Sequence, residues 1–266
     1  MGSASGDMRI QGVIPMRIVL SGLGRAGRAL AELVVNGRRD EITCAVCRDT
    51  SSDAGSTVGE AVKVTALSNC PVYPLKLARS AIAFSSADVL IDFSDRSFTL
   101  DLFDLAREKG WGLVVCTTDH EPEVVSAIRR HAESGEIGVV YAPNLTLGVN
   151  LLLEFTRRLS KVLPDFDFAV VERHRRGKPP VSATARLIAD AAGGHDVPIA
   201  YVRAGGYVGI HELTAASEFE RISIVHESFS RGAFANGALL AARFLGTRKG
   251  FFTMEDVISD LDSDVL

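Results

Sequence analysis

Apolar and polar positions change rhythm several times along the chain, and those changes lay out its elements. Arg17-Ile18-Val19-Leu20 is a short apolar run that predicts a strand. Ser21-Gly22-Leu23-Gly24-Arg25-Ala26-Gly27 follows at once, and residues 28–35 then space Leu and Val at helical period. Residues 42–47 predict a second strand, ending in Arg48-Asp49. Residues 53–86 give mixed signals, because Gly55, Gly59, Pro71 and Pro74 break any long element. Residues 87–94 predict a buried strand, 98–109 a helix, and 112–116 a strand that runs into Thr117-Thr118-Asp119; a further helix and a strand over 136–141 follow. Alternating strands and helices predict a doubly wound parallel sheet of α/β class. Ligands of such sheets sit beyond the carboxyl ends of the strands. Those ends carry Gly24-Arg25, Arg48, Phe93-Ser94, Cys116-Thr117-Thr118 and Ala142-Pro143-Asn144, which are expected to line one crevice.

Beyond Asn144 the rhythm changes. Residues 149–162 are helical in spacing, and 167–172 read as a strand that delivers a loop containing His174. A helix over 184–192 stops at Gly193-Gly194, and strand-like runs follow at 199–203, 207–214 and 219–226. Residues 233–245 predict a last long helix, with a short apolar stretch at 254–258. Strands gathered around a helix predict a second unit of α+β type. Residues 1–15, small and polar, are expected to be a disordered leader or tag outside the fold.

Composition narrows the classes. The 266 residues, 47% apolar and 23% charged, suit an ordinary globular protein of one large or two modest domains. A net charge of −4 and a pI near 5.9 give no electrostatic case for nucleic acid or an anionic membrane. No apolar run approaches the roughly 20 residues that span a bilayer, and no signal peptide is visible. Cys44 and Cys47 form a C-x-x-C with no second pair or nearby histidine to complete a zinc site. With Cys70 and Cys116 they read as buried thiols in a reducing cytoplasm, and no metal is expected.

Two stretches carry candidate chemistry. Gly22, Gly24 and Gly27 form G-x-G-x-x-G between a strand and a helix, the context a dinucleotide-binding turn requires. Gly22 permits the tight turn, Gly24 lets a pyrophosphate approach the backbone, and Gly27 lets the helix lie close to the strand. The helix N-terminus offers free N–H groups to phosphate. At the end of the second strand, where an adenosine ribose is read, Cys47 and Arg48 stand first. A guanidinium there accommodates a 2′-phosphate, so NADPH is the expected cofactor, with NADH possible through Asp49. The other stretch is Glu172-Arg173-His174-Arg175-Arg176-Gly177-Lys178, followed by Ser182-Ala183-Thr184. It sets an acid/base imidazole beside a cradle for a small anion, although a solvated basic loop would have the same composition. His211 and His226 read as core or interface histidines, His120, His131 and His195 as surface residues, and Trp111 as packing.

Several of these stretches resemble the dihydrodipicolinate reductase family. Glu172 to Lys178 with Ser182-Ala183-Thr184-Ala185 resembles its E-x-H-H-x-x-K-x-D-x-P-S-G-T-A signature. Ile91-Asp92-Phe93-Ser94, Cys116-Thr117-Thr118, the run from Ala142 through Asn144 and Leu145 to Asn150, Arg203 to His211 and Ser230 to Ala238 resemble five further motifs in the same order. The resemblance spans residues 16–257. It implies a Rossmann domain of residues 16–146 and 232–266 and a central substrate-binding and oligomerisation domain of residues 147–231 that packs into a homotetramer. It also implies hydride transfer from NAD(P)H to a cyclic imine dicarboxylate of the lysine route. His174 takes the general-acid position, and Lys178 the position that donates a proton and holds a carboxylate. Arg175, Ser182, Ala183 and Thr184 fall at substrate-binding positions. Gly22 to Gly27, Cys47, Arg48, Phe93, Ser94, Cys116, Thr117, Thr118, Ala142, Asn144 and Leu145 fall at cofactor positions.

The departures cluster around the same site. Arg175 replaces the second histidine, the spacing after Lys178 is one residue short and lacks an aspartate, and Ala183 replaces a glycine. Cys116 replaces another glycine, and Asp119-His120 stands where a further glycine is usual. Three readings stay open: the lysine-route reductase, a paralogue acting on a different cyclic imine, and a non-catalytic NADP-binding protein.

Overall fold

The computed structural model describes residues 14–80, 86–194 and 196–263. Seven parallel strands form one sheet: β1 (Arg17–Ser21), β2 (Glu41–Cys47), β3 (Val72–Pro74), β4 (Val89–Asp92), β5 (Gly112–Val115), β6 (Gly138–Tyr141) and β11 (Gly250–Thr253). Their order is β11-β6-β5-β4-β1-β2-β3, so the chain reverses direction across the sheet between β1 and β4. That switch point is where a crevice opens at the carboxyl edge of a doubly wound sheet.

Alternation along each strand divides the core between the two faces. Ile18 and Leu20 of β1, Val89 and Ile91 of β4, and Val114 and Val140 face one layer, built by α1 (Arg25–Gly37), α2 (Val58–Val62), α8 (Gly232–Leu245) and α9 (Met254–Ser263). Val19, Leu90, Leu113, Val115 and Val139 face the other, built by α3 (Leu75–Ser80), α4 (Thr99–Lys109) and α5 (Pro122–Glu133). Both faces are covered, which explains why these strands read as continuous apolar runs. Trp111, 1% exposed, packs in the second layer.

A second sheet has the order β10-β9-β7-β8, built from β7 (Asp167–His174), β8 (Ile199–Arg203), β9 (Gly209–Ala216) and β10 (Arg221–Ser228). Strands β7 and β8 are parallel and joined through α7 (Ala183–Ala192), while β9 and β10 form an antiparallel hairpin. Helices α6 (Leu147–Val162) and α7 cover one face, with Val170, Leu213, Ile188 and Leu152 in the core between them. Among the described residues, no helix is long and apolar enough to cross a membrane.

The structure departs from expectation in three places. Strand β11 is absent from the sequence reading: it is four residues long and opens on Gly250 at φ +126°, yet it pairs with β6, placing Phe252 on one core layer and Phe251 on the other. Strands β9 and β10 begin two residues later than their apolar runs. Tyr207 and Val208 are exposed in the turn before β9, and Phe219 stands 93% exposed in a turn closed by the Ser217 hydroxyl, which accepts from the Phe219 and Glu220 N–H groups. Strand β7 continues two residues past its predicted end, so His174 terminates a strand and takes its position from the sheet. Residues 1–13 of the expected leader, and His195, lie outside the described residues.

Candidate active site

The dinucleotide turn is built by its glycines. Gly22 has φ +87°, and a Cβ there would lie 2.2 Å from the Phe93 carbonyl group, so only glycine permits both the turn and the approach of β4. A Cβ on Gly27 would lie 2.0 Å from the Gly22 oxygen. Gly24 faces open space and caps α1 without any side-chain bond, leaving that helix's first N–H groups available to an anion. Leu23 packs against the core, while Arg25 is exposed and Ala26 half-buried at the start of α1.

A cleft of about 350 Å³ lies beyond β1, β2 and β4, lined by Gly22, Leu23, Cys47, Arg48, Ser94 and Asp95 among others. The Arg48 guanidinium donates to Asp95 Oδ1 (3.1 Å) and the Ser97 hydroxyl (2.5 Å), and lies 5.4 Å from the centre of the Phe98 ring. Bonds from Ser97, then Arg48, hold the Asp95 carboxyl at about 2. Asp49 is engaged elsewhere, its carboxylate accepting from the Lys76 N–H at 3.0 Å. Arg48, and not Asp49, therefore faces the cleft.

A buried polar chain fixes the next two strand ends. Asp92, fully buried, accepts from the Ser94 N–H and hydroxyl through Oδ1 and from the Thr99 hydroxyl through Oδ2. Thr99 bonds Thr117, and Thr117 bonds His120 at 2.8 Å. Phe93, Ser94, Cys116, Thr117 and Thr118 thereby line one open cleft with Ala26. His120 is half-buried and wired to the interior, which corrects its reading as a surface residue; a propensity argument cannot see a partner three residues back. Asp119 has φ +61°, a conformation its short polar side chain tolerates, where the family signature has glycine.

Asn144 ties the two halves together. Its Oδ1 accepts from the Thr146 N–H and hydroxyl at the start of α6, and its Nδ2 donates to the Thr184 hydroxyl at 3.3 Å. An expected cofactor residue and an expected substrate residue thus meet. Ala142 and Leu145 are buried in the core, leaving only their backbone groups for a ligand.

At the end of β7, His174 is 3% exposed and its Nδ1 is bonded to the Val208 carbonyl at 3.0 Å. A carbonyl only accepts, so Nδ1 carries the proton and Nε2 presents a lone pair. The Lys178 ammonium lies 3.3 Å from Nε2 and 3.5 Å from Nδ1, against the ring and out of line with that lone pair. Burial, then the Lys178 charge, lowers the His174 pKa; burial lowers that of Lys178. Beneath them Glu172 is fully buried, its Oε1 accepting from Arg203 (2.6 Å) and the Ser182 N–H (3.0 Å). Burial alone would raise Glu172; the bonds from Arg203 and Ser182 outweigh it and hold the carboxyl below its usual value. Arg203 also donates to the Lys178 and Pro179 carbonyls, fastening the turn that carries the lysine.

Three residues here were missed as functional: Glu172, Arg203 and His211. His211 lies opposite Glu172 in the β7–β9 register, with its ring centre 5.1 Å from that of His174, so it belongs to the site as well as to the core. Burial drives it down to about 3. A charged residue inside an alternating strand was the available signal. Ser182 is corrected in the other direction. It is 5% exposed, and its hydroxyl caps α7 by accepting from the Ala185 N–H and bonds His211 at 3.2 Å, so it faces the interior. Ala183 is exposed at the first position of α7 without a left-handed φ, so the added methyl crowds nothing there. Arg175 is exposed; its N–H bonds the Tyr207 carbonyl.

Known proteins match this arrangement along almost its whole length. The N-terminal family model of dihydrodipicolinate reductase matches residues 16–145, and the C-terminal one residues 148–258. The chain belongs to the dihydrodipicolinate reductase family. Within the family, the 4-hydroxy-tetrahydrodipicolinate reductase of Methanopyrus kandleri is 35% identical over 267 residues, covering 91% of this chain and 95% of that protein. The Ralstonia nicotianae protein of the same name is 33% identical, covering 91% and 99%. The dipicolinate-bound dihydrodipicolinate reductase of Paenisporosarcina sp. TG-14 superposes with TM-score 0.76 over 90% of this chain and 98% of that one; at 20% identity this shows the shared fold. Membership makes the chain an NAD(P)H-dependent oxidoreductase.

Proposed function

We propose that this chain reduces a cyclic imine dicarboxylate of the dihydrodipicolinate type with NADPH, His174 and Lys178 managing the proton. The reading rests on the Lys178 ammonium lying 3.3 Å from His174 Nε2 and 3.5 Å from its Nδ1, which sets the two groups side by side in one corner. When bound, NADPH supplies hydride. Adding hydride to a conjugated imine builds negative charge on the ring, which a positioned acid must quench. Lys178 is that acid, made a readier donor by the burial that lowers its pKa; its ammonium gives a proton to the ring and regains one from solvent, while the neutral His174 ring packed against it holds it in position. Thr184, Arg175 and the free N–H groups at the start of α7 are placed to receive carboxylates. Arg48 at the cleft, with Asp49 engaged, supports NADPH over NADH. Copies assemble as a homotetramer through the outer face of the four-stranded sheet, where Val202 and Val225 are 45% and 57% exposed. The reaction belongs in the cytoplasm, on the lysine route.

The test is NADPH oxidation with dihydrodipicolinate generated in place by the preceding synthase. Turnover that falls by about 100-fold or more in His174→Ala and Lys178→Ala supports the assignment; unchanged turnover in both refutes it. Arg175 on the rim favours a second reading, a paralogue with a different imine. Under that reading the parent is slow on dihydrodipicolinate and Arg175→His gains turnover; under the first, the parent is already efficient.

A further inference from the structure

Lys178 and His174 leave a second feature of the same corner unexplained. Glu172 Oε2 is fully buried and accepts no hydrogen bond, and His211 Nδ1 is likewise buried without a partner. Oε2 lies 3.4 Å from His174 Nε2 and 3.7 Å from His211 Nε2, and one ligand atom from each of the three residues lies within 4.8 Å of the other two. We infer that Glu172, His174 and His211 form a site for a divalent transition-metal ion, zinc above all, whose occupation blocks the reductase.

Geometry carries this. Four ligands at zinc's usual distances of about 2.0–2.1 Å stand about 3.3–3.4 Å apart at tetrahedral angles. The carboxylate-to-imidazole separations are already near that value, and the imidazole nitrogens, within 4.8 Å of each other, need close by no more than about 1.5 Å to match it. Two of the three donors also have the outer partners that orient metal ligands. His174 is locked by Nδ1–H to the Val208 carbonyl with its lone pair turned inward, and Glu172 has Oε1 held by Arg203 and Ser182 while Oε2 points at the imidazoles. Two imidazoles and a carboxylate make a donor set that suits zinc and leaves a fourth position open.

Opposing it are two cations, the Lys178 ammonium against His174 and the Arg203 guanidinium on the far oxygen of Glu172, and the Ser182 hydroxyl, which lies 3.2 Å from the His211 Nε2 and must yield to the ion. The ammonium lies 3.3 Å from the nitrogen that would hold the ion, so the two cations repel each other. The site is therefore inhibitory on the proposed mechanism: an ion there drives the Lys178 ammonium from the position it needs as the acid. Binding itself is independent of which imine is reduced, and is measured without substrate.

The experiment titrates the full, tag-free chain with Co²⁺, followed by visible absorption, and then displaces the cobalt with Zn²⁺. One equivalent with the intense bands of a four- or five-coordinate ion is expected. His211→Ala should weaken it by at least about tenfold, since loss of outer-shell partners alone costs 10–100-fold. Lys178→Ala should tighten it, a gain that no loss of folding could mimic. His131→Ala, altering a surface histidine 3.8 Å from Glu136, should leave it unchanged. The inference is overturned by weak six-coordinate bands only, by equal affinity in the parent and His211→Ala, or by loss of binding in Lys178→Ala.

Discussion

Replacing Arg203 should expose how far the site depends on one buried ion pair. The side chain is 13% exposed, and Glu172, which it bonds at 2.6 Å, is fully buried. Arg203→Met keeps the length of the side chain and removes its charge, together with the bonds to the Lys178 and Pro179 carbonyls. Breaking a buried pair by removing one partner costs about 3–5 kcal/mol, because the other charge is left uncompensated. At about 2–4 °C per kcal/mol for a chain of this size, the melting temperature should fall by roughly 6–20 °C. Turnover should fall too, because the turn that positions Lys178 loses its fastening. Most of the thermal loss is a buried charge left without its counter-ion, so Arg203→Met with Glu172→Gln should melt above Arg203→Met alone, a coupling read directly from the double-mutant cycle. Calorimetry of the parent, both single variants and the double variant measures all four terms. A fall of less than about 2 °C in Arg203→Met, or a double variant that melts below both singles, would refute the buried-pair reasoning.

Arg48→Asp should weaken NADPH by about tenfold or more and NADH far less, as the loss of one charge-assisted contact implies; equal losses in KM for both cofactors would sink the assignment of the 2′-phosphate. Gly27→Ala drives a methyl to 2.0 Å from the Gly22 oxygen, so NADPH binding followed by fluorescence should collapse, and parental affinity would show that the turn does not hold the cofactor. Burial raises the Cys44 and Cys70 thiols to about 12, so a thiol reagent at pH 8 should label them only after denaturation. The sign of their linkage follows: their folded pKa values lie above the ordinary 9.0, so the stability they contribute is complete below pH 9 and is lost as pH rises towards 12. Alkaline melts of Cys44→Ala and Cys70→Ala should lose less stability over that window than the parent; identical slopes would contradict it.

The parts of the fold legible in sequence are those that local chemistry dictates. The glycines at 22 and 27 could be read because each obeys a steric demand that a handful of neighbouring residues creates. The sheet followed because its strands are buried on both faces and so stay apolar throughout. Strand β11 could not be read this way, because what makes Phe251 and Phe252 a strand is β6, more than a hundred residues earlier. His211 and Arg203 were hidden for the same reason. Each is one polar residue in an alternating strand, and only the register that sets His211 opposite Glu172, and the β7–β8 pairing that brings Arg203 alongside, turns them into a site.

That distinction changes the weight of the departures from the family signature. Ala183 begins a helix in an ordinary conformation, and Asp119 holds the left-handed one that its side chain permits, so neither distorts the backbone that would receive a ligand. Cys116 packs against the core beneath the crevice. Arg175 alone among the altered residues extends a new positive charge over the rim, near Lys178 and Arg231, whose pKa values burial lowers first and Arg175 lowers further. A ring carrying two carboxylates gains from another guanidinium there, and a ring without them is penalised by the unneutralised charge. On the proposed function, the altered signature therefore keeps the demand for an anionic substrate and changes the reach of the group that meets it.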